Sequence, residues 1–149
     1  ACEEYTIPEG VEVIDFPFMY IEGKHLRKIH LPSTIRHMVD NTFIDCYLEE
    51  LVLPEGMTEI PGCMCENCRE LKRVVLPSTL KKIGNAAFCH CKKLEDIVLP
   101  DGLEVIRDDA FGDCLSLKHL ELPSSLKHIG PDTFLGSGVE HLSKFENKR

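Results

Sequence analysis

No apolar run in this 149-residue chain exceeds about five residues, far short of the ~20 that cross a bilayer as a helix, so no membrane insertion is expected. Cations are also scarce: 17 Lys and Arg stand against 25 Asp and Glu, a formal charge of −8. Nucleic acids and anionic membranes reward clustered Lys and Arg, so neither is expected as a partner. There is no Gly-rich phosphate loop, no G-x-S-x-G elbow and no H-E-x-x-H helix. Carboxylates are plentiful, but no pair of them is marked out by a pocket. The sequence therefore predicts no enzymatic activity and no cofactor. An N-x-S/T acceptor is missing too, since Asn41-Thr42-Phe43 fails at its third position. Ala1-Cys2-Glu3-Glu4 has neither the basic start nor the apolar core of a signal peptide. With no initiating Met, the chain reads as a processed or excerpted piece, and this end says nothing about compartment.

What the chain does have is a period. The proline of an apolar-Pro step recurs at Pro8, Pro32, Pro54, Pro77, Pro100 and Pro123, at intervals of 24, 22, 23, 23 and 23. Three units align without a gap: LPSTLKKIGNAAFCHCKKLEDIV from Leu76, LPDGLEVIRDDAFGDCLSLKHLE from Leu99 and LPSSLKHIGPDTFLGSG from Leu122. Their frame is Leu-Pro-x-x-Leu-x-x-Ile, then Phe five residues on, Cys three later and Leu three later. One unit cannot bury its own alternating apolar residues, such as Val74 and Leu76. Stacking neighbours at the ~4.8 Å strand spacing builds a continuous core. Proline ends each strand because it cannot donate to the ladder, and Gly10, Gly56 and Gly102 supply the turn that follows. Asn85–Phe88 and Asp108–Phe111 are predicted as one-turn helices capped by Asn or Asp.

This frame resembles the BspA-like (Treponema pallidum type) leucine-rich repeat family, from about Glu4 to Leu142. The resemblance implies a leucine-rich-repeat solenoid: a right-handed stack of about six 22–24-residue repeats, with short parallel β-strands plus short helical or 3-10 turns. All of residues 1–149 are read as a single domain. The family also implies a protein-interaction module of a bacterial cell-surface or secreted protein, adhering to host or neighbouring-cell proteins. A cytoplasmic location is the alternative.

The eight cysteines divide on this frame. Cys46, Cys68, Cys91 and Cys114 share one slot, Cys65 stands in the Phe slot, and Cys2 falls in a Leu slot. A reduced Cys behaves as a small hydrophobe, so these are expected in the core. Gly23 and Ser137 take the shared slot in the first and last units. Cys63 and Cys89 are unexplained by the frame and are expected on a solvent-facing turn. They leave open a Cys63–Cys89 disulfide, or a small metal-binding or thiol-redox site in the Cys63–Cys91 region.

In-register stacking also predicts columns on the exposed sheet face. One reads Glu4, Lys28, Glu50, Arg73, Asp96, His119, His141; its neighbour reads Thr6, His30, Val52, Val75, Val98, Glu121, Ser143. The first alternates in charge for most of its length, which suits cross-strand pairing. The valine stripe reads either as β-propensity or as the apolar centre of a protein-binding patch. The candidate protein-binding residues are Glu50, Val52, Arg73, Val75, Asp96, Val98, His119 and Glu121. Stacked His119 and His141 are expected to be solvated, and Lys81, Glu104 and Lys127 form another solvated slot. A purely structural spacer within a larger protein is the remaining reading. The ends of the stack need covering. Phe16–Tyr20 is expected to fold over the first unit, the polar Lys144–Arg149 tail to blunt the last, and end-to-end self-association follows as an expectation.

Overall fold

The computed structural model describes residues 3–20 and 25–139. The chain winds through about five parallel β-solenoid turns, its coils beginning at the six prolines, with the sixth described as far as residue 139. One set of strands precedes the prolines: β1 (Glu4–Thr6), β3 (Lys28–His30), β5 (Glu50–Val52), β7 (Arg73–Val75) and β9 (Asp96–Ile97). The other follows them: β2 (Val13–Ile14), β4 (His37–Met38), β6 (Glu59–Ile60), β8 (Lys82–Ile83), β10 (Val105–Ile106) and β11 (His128–Ile129). Every pairing is parallel. The first set forms a face sheet, joined as β1–β3 and β5–β7–β9. The second forms a flank sheet, joined as β2–β4 and β6–β8–β10–β11. Each proline carbonyl accepts a turn bond from the residue three on, as in Leu80 N–H to Pro77 O at 3.2 Å.

The core is made of columns. Leu48, Leu71 and Leu117 are fully buried, as are Ile60, Ile83 and Ile106 of the flank sheet. Phe88, Phe111 and Phe134 stack with ring centroids 5.5 and 5.8 Å apart. Phe18 enters the same column and stacks on Phe43 at 5.3 Å, so it packs within the first coil, whereas Phe16 is 44% exposed. Cys65 interrupts the column, as the frame predicts. The compensation is next to it: Met64 is fully buried where Thr42, Ala87, Ala110 and Thr133 stand in other coils. Large and small have exchanged places along the chain, which conserves volume in a close-packed interior.

The one-turn helices predicted at Asn85–Phe88 and Asp108–Phe111 are absent. Both segments are turns, and the only helical stretch among the described residues is a 3-10 turn at Phe18–Tyr20. The reason is where the backbone donors go. Ala86, Phe88 and His90 donate to Asp108, Ala110 and Gly112 in the next coil, each at 2.8 Å, while Ala87, Cys89 and Cys91 donate back to Gly84, Ala86 and Phe88. Alternate N–H groups are thus committed across the stack, and a helix would have to withdraw all of them. This zigzag needs left-handed residues at two points per coil. Asn41, Cys63, Ala86, Asp109 and Asp132 supply one; Asp45, Asn67, His90, Asp113 and Gly136 supply the other, with φ from 53° to 76°. Asn, Asp and Gly suit that region, which Cys63 and Ala86 enter at a cost.

A second regularity has a period of two coils. The residues after the prolines alternate Glu-Gly, Ser-Thr, Glu-Gly, Ser-Thr, Asp-Gly, Ser-Ser. Within each pair of coils the hydroxyl bridges the backbones. Thr34 Oγ1 accepts from Gly10 N–H at 3.0 Å and donates to Val11 O at 2.7 Å; Thr79 does the same between Gly56 and Met57, and Ser125 between Gly102 and Leu103. Ser33 and Ser78 donate to the carboxylates of Glu9 and Glu55. Between pairs a cation lies across the next glycine. A Cβ on Gly56 would fall 2.5 Å from the Arg36 guanidinium carbon, and one on Gly102 would fall 3.1 Å from Lys81 Nζ.

Candidate interaction surface

The face sheet presents the two predicted columns. Register pairs Glu4 with Lys28, Glu50 with Arg73 and Arg73 with Asp96 in the first, and Thr6 with His30 and Val52 with Val75 in the second. Arg73 bridges two carboxylates, Glu50 at 2.9 Å and Asp96 at 3.3 Å. All three side chains are about half exposed, so each pair contributes well under about 1 kcal/mol and mainly fixes side-chain position. His30 meets the Glu4 carboxylate, whose acidity this contact increases. His119 is 4.0 Å from Glu121, two residues along; His141 and Ser143 lie outside the described residues, as do Cys2, Gly23 and the Lys144–Arg149 tail.

The valine stripe is not uniform. Val52 is 48% exposed, Val75 is half-buried and Val98 is 76% exposed. Val98 stands out because the sheet opens around it. β9 ends at Ile97, so Val98 has no ladder partner, and no strand forms over His119–Leu122. Two grooves flank it. One, about 440 Å³, is lined by Glu55, Arg73, Val75, Asp96, Val98 and Asp101 among others. The other, about 500 Å³, lies between Ile97–Leu99 and His119–Leu122 and also includes Asp101. Both have dimensions of ligand-sized clefts. Six of the eight predicted face residues line them. Glu50 and Val52 sit further along the face, outside both grooves. Asp101 was not singled out by sequence reasoning, although it occupies the acidic post-proline position shared with Glu9 and Glu55. The two hydrogen bonds Glu55 accepts from the Ser78 N–H and hydroxyl hold its carboxyl below the usual range, keeping it charged.

Comparisons with known proteins follow this architecture closely. The family model for the BspA type leucine rich repeat region matches residues 13–140, in six copies. The chain belongs to the BspA-type leucine-rich repeat family. Among solved structures, a leucine-rich repeat protein from Bacteroides ovatus is 32% identical, with a TM-score of 0.83 over 90% of this chain and 35% of that one. The T. pallidum leucine rich repeat protein is 28% identical, with a TM-score of 0.87 over 98% of this chain and 69% of that one. The pneumococcal vaccine antigen PcpA shares the fold at 21% identity and TM-score 0.59, over 94% of this chain and 49% of that one. A search of curated proteins found no match. The chain thus spans about a third of the Bacteroides protein's length. Proteins of the BspA type are repeat modules for interaction or structural repetition and are typically not enzymes.

The cysteines fit the BspA-type frame with one correction. Cys46, Cys65, Cys68, Cys91 and Cys114 are buried free thiols. Three of them donate to a carbonyl of the Phe column in an earlier coil: Cys68 to Phe43 at 3.0 Å, Cys91 to Cys65 at 3.1 Å and Cys114 to Phe88 at 3.0 Å. Burial pushes the Cys46 and Cys114 thiols up to about 12. Cys63 is half-buried, as a turn residue should be, but Cys89 is buried rather than solvent-facing. The coil above carries Gly112 at the matching position, and Cys89 Sγ takes the room a side chain would need, 3.3 Å from where its Cβ would stand. Both are free thiols pushed to about 11, Cys63 and Cys89 alike chiefly by burial. A thiol held protonated in this way is a poor nucleophile and metal ligand at neutral pH. Among the described residues no three His, Cys, Asp or Glu side chains converge as a metal site.

Proposed function

We propose that this chain is a protein-interaction module that docks a protein partner on its face sheet, within a bacterial cell-surface or secreted protein engaged in adhesion. The observation that carries the reading is Val98, three-quarters exposed between two grooves whose rims are charged. An apolar centre with a polar rim is the anatomy of protein interfaces. The rest of the described chain behaves as scaffold, its columns filled by its own side chains. Family membership and the fold shared with a pneumococcal vaccine antigen support a surface location.

The test is binding of the fluorescently labelled chain to cells and to immobilised matrix proteins, comparing it with the V52T/V75T/V98T variant. Removing the apolar stripe is expected to weaken binding about tenfold or more. Equal binding by both proteins would refute docking on this face. Absence of any binding by the unaltered chain would leave it a structural repeat.

A further inference from the structure

We infer that the groove between β9 and His119–Leu122 takes an extended, Lys- or Arg-bearing segment of a partner protein, laid beside an interrupted backbone ladder. This rests on the face sheet being a protein-docking surface and specifies which part of it docks and what it selects.

The interruption is visible in the backbone bonds. Along the face sheet the carbonyls of Glu3, Arg27, Glu49 and Lys72 each accept from the next coil, at 2.8–3.1 Å. The next carbonyl in that series, Glu95, accepts from no backbone donor among the described residues. A second gap occurs at the other end of the same segment, just before the proline. Ile7 N–H reaches His30 O and Leu53 N–H reaches Val75 O, both at 3.0 Å, but no such bond joins Leu31 to Val52, Leu76 to Val98 or Leu99 to Glu121, and the last of these steps is the one where the Glu95 carbonyl is open as well. The local sequence explains this. Val52, Val74, Val75, Ile97 and Val98 give earlier strands β-branched residues, whereas His119-Leu120-Glu121-Leu122 has none, and it sets Glu121 opposite Val98. Meanwhile the flank sheet stays paired across the same coils, Val105 with His128 and Ile106 with Ile129. The two coils are therefore held together on one side and parted on the other.

The parted side has the chemistry of a peptide site. Its floor is apolar, from Ile97, Leu99 and Leu120, and Val98 forms a wall. No Lys or Arg lines it, while Asp101 and Glu121 do, the latter with a side chain 85% exposed. Backbone groups left open at a sheet edge are satisfied by an added strand, apolar alternation fits the floor, and two carboxylates with no Lys or Arg beside them in the groove select cationic side chains. The 440 Å³ groove is the poorer candidate. The ladder beneath it is closed through Ile97, and its cation Arg73 already bridges Glu50 and Asp96.

The probe is a capped heptapeptide alternating valine and lysine, with a valine–glutamate counterpart, followed by amide chemical shifts and hydrogen exchange. At about 50 mM salt the lysine peptide is expected to bind about tenfold more tightly than the glutamate one, and to weaken several-fold by about 300 mM. It should slow exchange of amides in 97–101 and 119–122. D101N/E121Q, which alters only exposed side chains, should cut its affinity about fivefold without changing the melting temperature. Equal binding of both peptides, shifts without amide protection, or no binding would overturn the inference. Partner binding then separates the two claims. If V52T/V75T/V98T abolishes it and D101N/E121Q does not, the groove assignment fails and the face reading stands. If neither variant matters, both fail.

Discussion

The flank sheet and the face sheet are wound from the same coils on the same period, yet the flank ladder runs through β6, β8, β10 and β11 while the face ladder stops at β9. The flank strands offer an inward isoleucine in each of these coils, Ile60, Ile83, Ile106 and Ile129, and an outward ion pair between Glu59 and Lys82 at 3.5 Å. The face strands change character along the stack, from Leu51 and Val74 to Ile97 and then Leu120. The period delivers each segment beside its neighbour. Whether the segment then closes into a ladder is decided by the side chains it brings.

That contrast can be broken most severely on the flank. Gly84 follows β8, and a Cβ there would lie 2.7 Å from Ile60 O, the Pro61 carbonyl carbon and Gly62 N, all of them backbone and unable to give way. Gly84→Ala is therefore expected to cost about 3 kcal/mol, read as a lower denaturant midpoint, because the closed ladder must be forced apart. A smaller break tests the core shared by both sheets. Cys65→Phe restores the aromatic column but overfills the space Met64 already uses, at about 2 kcal/mol. Met64→Ala together with Cys65→Phe should recover more than half of that loss, and additive costs would contradict the exchange of volumes. The gentlest change closes the open end. Leu120→Ile with Glu121→Val gives the last face segment the residues of its neighbours and is expected to add about 0.5–1 kcal/mol while slowing exchange of the His119 amide. Unchanged exchange there would mean that side-chain character is not what parts the coils.

Much of the fold was legible because several signals recur together. Proline, the Ile slot, the Phe slot and the Cys slot each repeat, and a solenoid is the arrangement that makes all of them inward or strand-ending at once. The corner turns were not legible from Asn85 or Asp108, since the residue types that cap helices also tolerate left-handed backbone. What chooses between them is the set of acceptors one coil away, at positions 108, 110 and 112. Cys89 was misplaced for a similar reason: its burial depends on Gly112 in the following coil. Where face strands pair, in β1–β3 and β5–β7–β9, the paired column residues are those the period predicts, but the grooves were not predicted, although the loss of β-branched residues at 119–122 and the acid at Asp101 were both readable. The alternation of Glu-Gly with Ser-Thr is also written in the sequence, at twice the 23-residue period and therefore invisible in any single unit.

That alternation makes the coils unequal partners. Pro8, Pro54 and Pro100 stand 46 residues apart, and each opens the coil that carries the carboxylate and the glycine; Glu9 and Glu55 accept from the serines of their neighbours, and cations lie across Gly56 and Gly102. Gain or loss of one coil would set carboxylate against carboxylate, or leave two hydroxyl-bearing turns with no glycine N–H between them. Inheritance of such a stack is thus expected to proceed in doublets, and relatives should differ in length by even numbers of coils more often than odd.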